Sequence, residues 1–340
     1  MTISIRERLE GEEAKELHPR AARSINTRGR EREEEECSIR LAYQVDRDRI
    51  LHSKSFRRLS QKTQVFLAPA GDHYRNRLTH TLEVSQIART ISRALGLNEN
   101  LTEAIALGHD LGHTPFGHAG EAVLNKLSPK GFHHAKQSLR VVECLEREGA
   151  GLNLTAEVRE GIAGHSKGKG KILSPLKTLE AQVVRVADLI AYLNHDLDDA
   201  LRAGIITPAE VPAPVRKHLG ETHGSRISAI VENTISETIA GEMESIVISA
   251  DMNDILVEFR EFLYHRVYDN PKVHGDFIKA TKLLEELYRH YQENPEALPE
   301  DDRSDAPVDV EVADFIAGMT DRYALSLYNT IFMPRPWKVL

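Results

Sequence analysis

The sequence predicts an all-α fold. Apolar residues recur at helical spacing in one stretch after another, strand-like alternation is nearly absent, and no internal repeat breaks the pattern. The 340 residues are 41% hydrophobic, enough to bury a sizeable core.

Residues 1–36 are polar. They include the charge run RGREREEEE, Arg28 to Glu36, with no apolar stripe, and read as a mobile arm. Residues 37–340 read as a single helical domain. Leu78, Leu82, Ser85, Ala88 and Ile91 mark one side of a helix from about Tyr74 to Leu95, stopped by Gly96. Leu101, Ala104 and Ile105 predict a short buried helix ending near Asp110, and Gly117 to Leu127 starts another. Leu139, Val142 and Leu145 follow, closed by Gly149. A long helix runs from Pro175 to Leu201 through VVRVADLIAYL. Helices at Asp251–Asp269 and Phe277–Tyr291 come next, then one long helix at Val308–Tyr328. Lys62 to Leu67 is the one extended piece expected. Gly164 to Gly170 reads as a flexible basic loop.

Composition excludes several classes. No apolar run approaches the ~18 residues of a membrane span, so no membrane role is expected. The N-terminus lacks the apolar segment of a secretory signal. Two cysteines, Cys37 and Cys144, cannot form a disulfide framework, and a reducing cytoplasm fits. A net charge of −8 argues against a nucleic-acid coat. From Arg47 to Arg77, however, eight basic residues face only Asp48 and Asp72, which suits a small anionic ligand. Sixteen histidines invite a search for metal ligands.

Chemistry is densest in GHDLGHTPFGHAGE, Gly108 to Glu121. His109 and Asp110 are adjacent, so both can reach one ion only where a helix ends or bends, and the flanking glycines permit that. His80 shares a face with Val84 and Ile87 and points inward. Asp188 lies level with Val184 and Tyr192, where a buried carboxylate needs a partner, a metal or an arginine such as Arg185. Two imidazoles and two carboxylates suit Mg²⁺ or Mn²⁺, with Co²⁺, Ni²⁺ or Fe²⁺ also accommodated. His118 and Glu121 share a face at i, i+3, as do Asp188, Tyr192 and Asp196 at i, i+4, i+8. Arg77, one turn before His80, projects beside the metal and is the first choice of phosphate ligand. Arg57 and Lys54 are weaker choices.

The order His80, His109–Asp110, Asp188 resembles that of HD-domain phosphohydrolases. The longer stretches RDRILHSKSFRRLSQKTQVF, GDHYRNRLTHTLEVSQIARTI, EAIALGHDLGHTPFGHAGE and GMTDRYA resemble bacterial deoxyguanosinetriphosphate triphosphohydrolase-like proteins, and the likeness covers most of the chain after residue 37. It implies an all-α fold with an HD core at about 76–199 and additional helices. It also implies a homo-oligomer, often a hexamer, that hydrolyses dNTPs to deoxynucleoside and tripolyphosphate. It implies His118 as general acid, Glu121 as its orienting partner, and His113 near the α-phosphate. His134 joins this layer, although Ala135 stands where the family usually has Asn. Gln64, Tyr192 and Asp196 take sugar-side roles, Tyr192 against a ribose 2′-hydroxyl. The alternatives are an HD phosphohydrolase acting on another nucleotide phosphoester, or a nucleotide-sensing or nucleic-acid-binding protein.

Overall fold

The computed structural model describes residues 4–67, 74–166, 176–300, 303–304 and 306–334. Its α-helices, in chain order, are α1 (Ile5–Glu16), α2 (Ala42–Leu51), α3 (Lys54–Arg58), α4 (Arg77–Ala94), α5 (Glu99–Gly108), α6 (Gly117–Leu127), α7 (His134–Arg140) and α8 (Ala156–Gly164). They continue with α9 (Leu179–Arg202), α10 (Ala213–Leu219), α11 (His223–Ala240), α12 (Ala250–Leu263), α13 (Pro271–Glu293), α14 (Val308–Gly318) and α15 (Asp321–Phe332). No strand occurs among the described residues. Lys62–Leu67 is irregular, with one isolated bridge from Thr63 to Asn76. The all-α expectation holds. Part of the basic loop at Gly164–Gly170 lies outside the described residues.

The centre is built from α4, α5 and α9. Helix α4 lies along both others, while α5 also packs on α2 and α8. Leu101, Ala104 and Ile105 of α5 are fully buried, as are Val84, Ala88 and Ile91 of α4 and Val183, Val184 and Ala187 of α9. Burying such side chains supplies roughly 1.5–3 kcal/mol each, which holds the helix ends bearing polar residues in register. The glycines around the His-Asp pair serve close packing. A Cβ on Gly108 would lie 2.5 Å from Ile162 of α8, and one on Gly112 would lie 2.1 Å from the Ser138 backbone nitrogen.

A second apolar cluster joins Val123 and Leu124 of α6 to Leu284 and Tyr288 of α13, Val312, Phe315 and Ile316 of α14, and Ala324 of α15. The helix predicted for Val308–Tyr328 is broken here. Met319 is extended, and the Thr320 side chain accepts from the Tyr323 N–H to start a new helix.

Residues 4–36 lie against the helical body through polar contacts. Helix α1 carries a capping box at Ser4 and Glu7. Arg28 binds Glu157 and Glu160, and the Arg30 guanidinium pairs with buried Asp46. Glu180 of α9, wholly buried, accepts the backbone N–H groups of Ala22 and Asn98, both at 3.0 Å. Burial pushes its carboxyl up to about 7. The run is polar because its partners are charged side chains of the helical body.

Candidate metal centre and active site

The start of α4, the end of α5 and the middle of α9 meet at the site. Asn76 caps α4 by accepting from the Thr79 N–H, which sets Arg77 and His80 in the first turn. His109 follows the last residue of α5, and Asp188 lies midway along α9. His80, His109 and Asp110 are buried, and their ligand atoms lie within 4.8 Å of one another. His80 Nε2 is 3.2 Å from Asp188 Oδ1, and His109 Nε2 is 3.9 Å from the same oxygen. The Asp188 side chain keeps 27% of its surface open, so it borders the site instead of being entombed. Arg185 does not pair with it and donates to the Gly164 carbonyl.

His109 Nδ1 lies 2.6 Å from the Ala106 carbonyl, which can only accept. Nδ1 therefore donates to it, which leaves Nε2 facing the carboxylates of Asp110 and Asp188. That atom is buried without a hydrogen-bond partner, as expected of a metal ligand. The donor set is two imidazoles and two carboxylates with no thiolate, so these residues fit a divalent metal. Two other triples have ligand atoms equally close, Asp110–His113–His134 and Glu121–His133–His134. The His113 and His134 rings stack at 4.0 Å and 13°, so their in-plane lone pairs do not converge. His134 Nδ1 is committed to Glu121. The first triple, joined by Asp188, is the better cage.

Arg77 is not free as drawn from the sequence. Its Nη1 donates to Asp110 Oδ2 at 2.9 Å, and the side chain is buried. Burial pulls the Asp110 carboxyl up, but His109, His113 and Arg77 outweigh it and hold it well below the usual range. Asp110 Oδ1 is 3.2 Å from His113 Nε2. Burial and the Arg77 charge push His113 well down, so its imidazole is neutral.

Glu121 gathers the second group of histidines. It accepts the backbone N–H and Nδ1 of His134, both at 2.9 Å, and faces His118 Nδ1 at 3.4 Å. Burial pulls its carboxyl up, but the hydrogen bonds from His118 and His134 keep it far below the ordinary value. His118 is open to solvent, with 82% of its side chain exposed, at the start of α6. His133 is an N-cap residue at the start of α7.

On the far side, Asp196 is buried and accepts from the Tyr268 hydroxyl, while its Oδ1 has no partner. Burial pushes its carboxyl up to about 7. Tyr192 lies one turn before it on α9, half-buried. Gln64 Oε1 is also buried without a partner. Arg57 is exposed and donates to the His52 carbonyl in its own segment, so nothing joins it to the cluster.

Sequence reasoning missed His165, Tyr268, Lys62 and Asp321. His165 caps the C-terminus of α8 as His109 does that of α5. Its Nδ1 donates to the Ile162 carbonyl at 2.7 Å, and its Nε2 meets His134 Nε2 at 3.2 Å. Burial, together with His109 and His134, pushes it down to about 3. It lies in GHSKGKG, whose glycines and lysines read as a loop. Lys62 and Asp321 lie inside stretches that carried the resemblance.

An all-α bundle with a buried His/Asp cluster at the junction of helix ends is the signature of the HD phosphohydrolases. The HD domain family matches residues 77–193, and the phosphohydrolase-associated domain matches residues 246–330. A deoxyguanosinetriphosphate triphosphohydrolase-like protein of Desulfatibacillum aliphaticivorans is 52% identical over 98% of this chain and 99% of its own length. Relatives of the same description from Caldanaerobacter subterraneus and Clostridium tetani are 53% and 44% identical over 98% of this chain, covering 98% and 97% of theirs. Among solved structures, one described as a hypothetical protein from Aquifex aeolicus aligns with a TM-score of 0.47 at 19% identity. It covers 83% of this chain and 67% of that one, a likeness too weak to carry an argument. The chain belongs to the deoxyguanosinetriphosphate triphosphohydrolase-like family and is a metal-dependent phosphohydrolase. No helix among the described residues is long and apolar enough to cross a membrane.

Proposed function

We propose that this enzyme hydrolyses deoxynucleoside triphosphates to deoxynucleoside and inorganic tripolyphosphate. One observation supports it most: an acid–base group, His118–Glu121–His134, adjoins the His/Asp cluster, with His134 also within reach of Asp110 and His113. A phosphoester hydrolase that expels a poor alkoxide needs such an acid.

In this reading His80, His109, Asp110 and Asp188 hold one divalent ion, Mg²⁺ or Mn²⁺ being the first choices. That ion would supply Lewis-acid polarisation of phosphate oxygens. Water adds at the α-phosphorus and the bond to O5′ breaks. His118, oriented through Nδ1 by Glu121, gives a proton to the departing O5′. His113, neutral and buried, offers a hydrogen bond near the α-phosphate without adding charge. His134 holds Glu121 ionised by two hydrogen bonds.

Tyr192 and Asp196 take the sugar. An Asp196 carboxyl raised to about 7 is partly protonated at neutrality and can donate to, as well as accept from, a 3′-hydroxyl, and Gln64 Oε1 is a further unpaired acceptor. Tyr192 crowds the 2′ position, which favours deoxyribose. The reading extends to a homo-oligomer working on free nucleotides in the cytoplasm.

The test is incubation of purified protein with each of the four dNTPs and GTP, in Mg²⁺, Mn²⁺ or Co²⁺, resolving all products. Deoxynucleoside and tripolyphosphate in equal amounts are expected. Orthophosphate or pyrophosphate as the released product would refute the reading in favour of another phosphoester.

A further inference from the structure

Asp321 is buried at the start of α15, yet α15 does not need it as a cap, because Thr320 already fills that role. Its carboxylate is spent elsewhere. Oδ1 accepts the Phe116 N–H at 2.9 Å. Oδ2 accepts the Thr63 N–H at 2.9 Å and also the Thr63 hydroxyl. A buried carboxylate is costly to keep unless its lone pairs are used, and here three donors use them.

Both donor segments lead to the site. Phe116 stands two residues before His118 and has a left-handed backbone, φ 61°, without being glycine. Such a conformation persists only where its surroundings over-determine it. The Phe116 ring is buried in the cluster formed with α13, α14 and α15, and its N–H is held by Asp321. Thr63 precedes Gln64. Its neighbour Lys62 is buried, and the ammonium donates to the Ala317 carbonyl of α14 at 2.8 Å and to the His113 carbonyl. The Lys62 carbonyl accepts the Arg77 N–H at 3.1 Å. The loop from His113 to Phe116 is therefore pinned at one end by Asp321 and at the other by Lys62, itself anchored on Ala317 at the end of α14.

We infer that Asp321, assisted by Lys62, is a positioning residue for the reaction: it fixes the loop that delivers His118 while touching no substrate itself. The inference rests on the role proposed above for His118. It gives the phosphohydrolase-associated segment a task in catalysis, distinct from the metal cage contributed by α4, α5 and α9.

The experiment is a double-mutant cycle with metal analysis. Asp321→Asn turns one accepting oxygen into an N–H group, so Phe116 or Thr63 loses its acceptor. Turnover should fall about 10–100-fold, the scale of a misplaced catalytic group, with metal content and KM near wild type. In a His118→Ala background the same change should cost little further, because the group being positioned is gone. Equal loss in both backgrounds, or unchanged turnover in the first, would overturn the inference. Amide exchange at residues 113–118 needs no substrate and should quicken in Asp321→Asn. If the wild type leaves dNTPs untouched, the substrate reading fails while exchange still decides this one, and unchanged exchange rejects it. Should Asp321→Asn not fold, Thr63→Val removes only the hydroxyl donor. It should lower turnover with metal retained, and Thr63→Ser should restore it; failure of either result counts against the clamp.

Discussion

Arg77 and Asp110 form a buried ion pair, Nη1 to Oδ2 at 2.9 Å, across 33 residues of sequence. The guanidinium that helical spacing assigns to phosphate thus holds a carboxylate of the candidate metal centre. Arg77→Ala should free Asp110 to turn and leave it underpaired. Metal affinity should fall ~10–100-fold, the usual cost of losing such outer support. Equilibrium dialysis against Mn²⁺ measures it. Full metal affinity with only a raised KM would return Arg77 to the phosphate role.

His118 is exposed, so removing it should leave the fold intact. His118→Ala should keep its melting temperature and metal content while turnover drops ~10²–10⁴-fold. A lowered melting temperature with near-normal turnover of the folded fraction would make His118 a structural residue.

Tyr192→Ala should narrow the gap between dGTP and GTP turnover, because the crowding ring is gone while Asp196 stays hydrogen-bonded to Tyr268. Rates that fall together with an unchanged ratio would make Tyr192 a packing residue.

Glu180 gives a pH signature away from the site. Its carboxyl sits at about 7, above its ordinary value, because it is buried. The native state therefore binds this proton more tightly than the unfolded chain does. Stability from this group is complete below pH about 4.5 and is lost as pH rises to about 7, on the order of 3 kcal/mol. Glu180→Gln carries no such proton. Urea unfolding at pH 5 and pH 7.5 should show a smaller difference for the variant than for the wild type. An identical difference would exclude Glu180 as the source.

What the sequence disclosed follows from how local each signal is. The inward face of His80 is set by Val84 and Ile87 on its own helix, so periodicity exposes it. The start of α6 and the His118–Glu121 pairing are equally local. The Arg77–Asp110 pair leaves no local signal, because Asp110 lies 33 residues on, past the end of α5. The segment 1–36 looked unanchored because Arg28 finds Glu157 and Glu160 about 130 residues later. His165 gave no periodic signal, since it ends a helix in a glycine-rich stretch and its partner ring is on α7. The break between α14 and α15 did leave a trace in Thr320–Asp321, a cap residue followed by an acid. The apolar period continuing across it hid that trace.

Phe116 and Asp321 are 205 residues apart. A chain emerging from the ribosome N-terminus first has all of His80, His109, Asp110 and Asp188 available more than a hundred residues before Asp321 appears. The residues of the candidate metal centre all precede α10, whereas the acceptor of the Phe116 N–H comes only with the last helix. A chain ending before α15 lacks the carboxylate that accepts the Phe116 and Thr63 N–H groups.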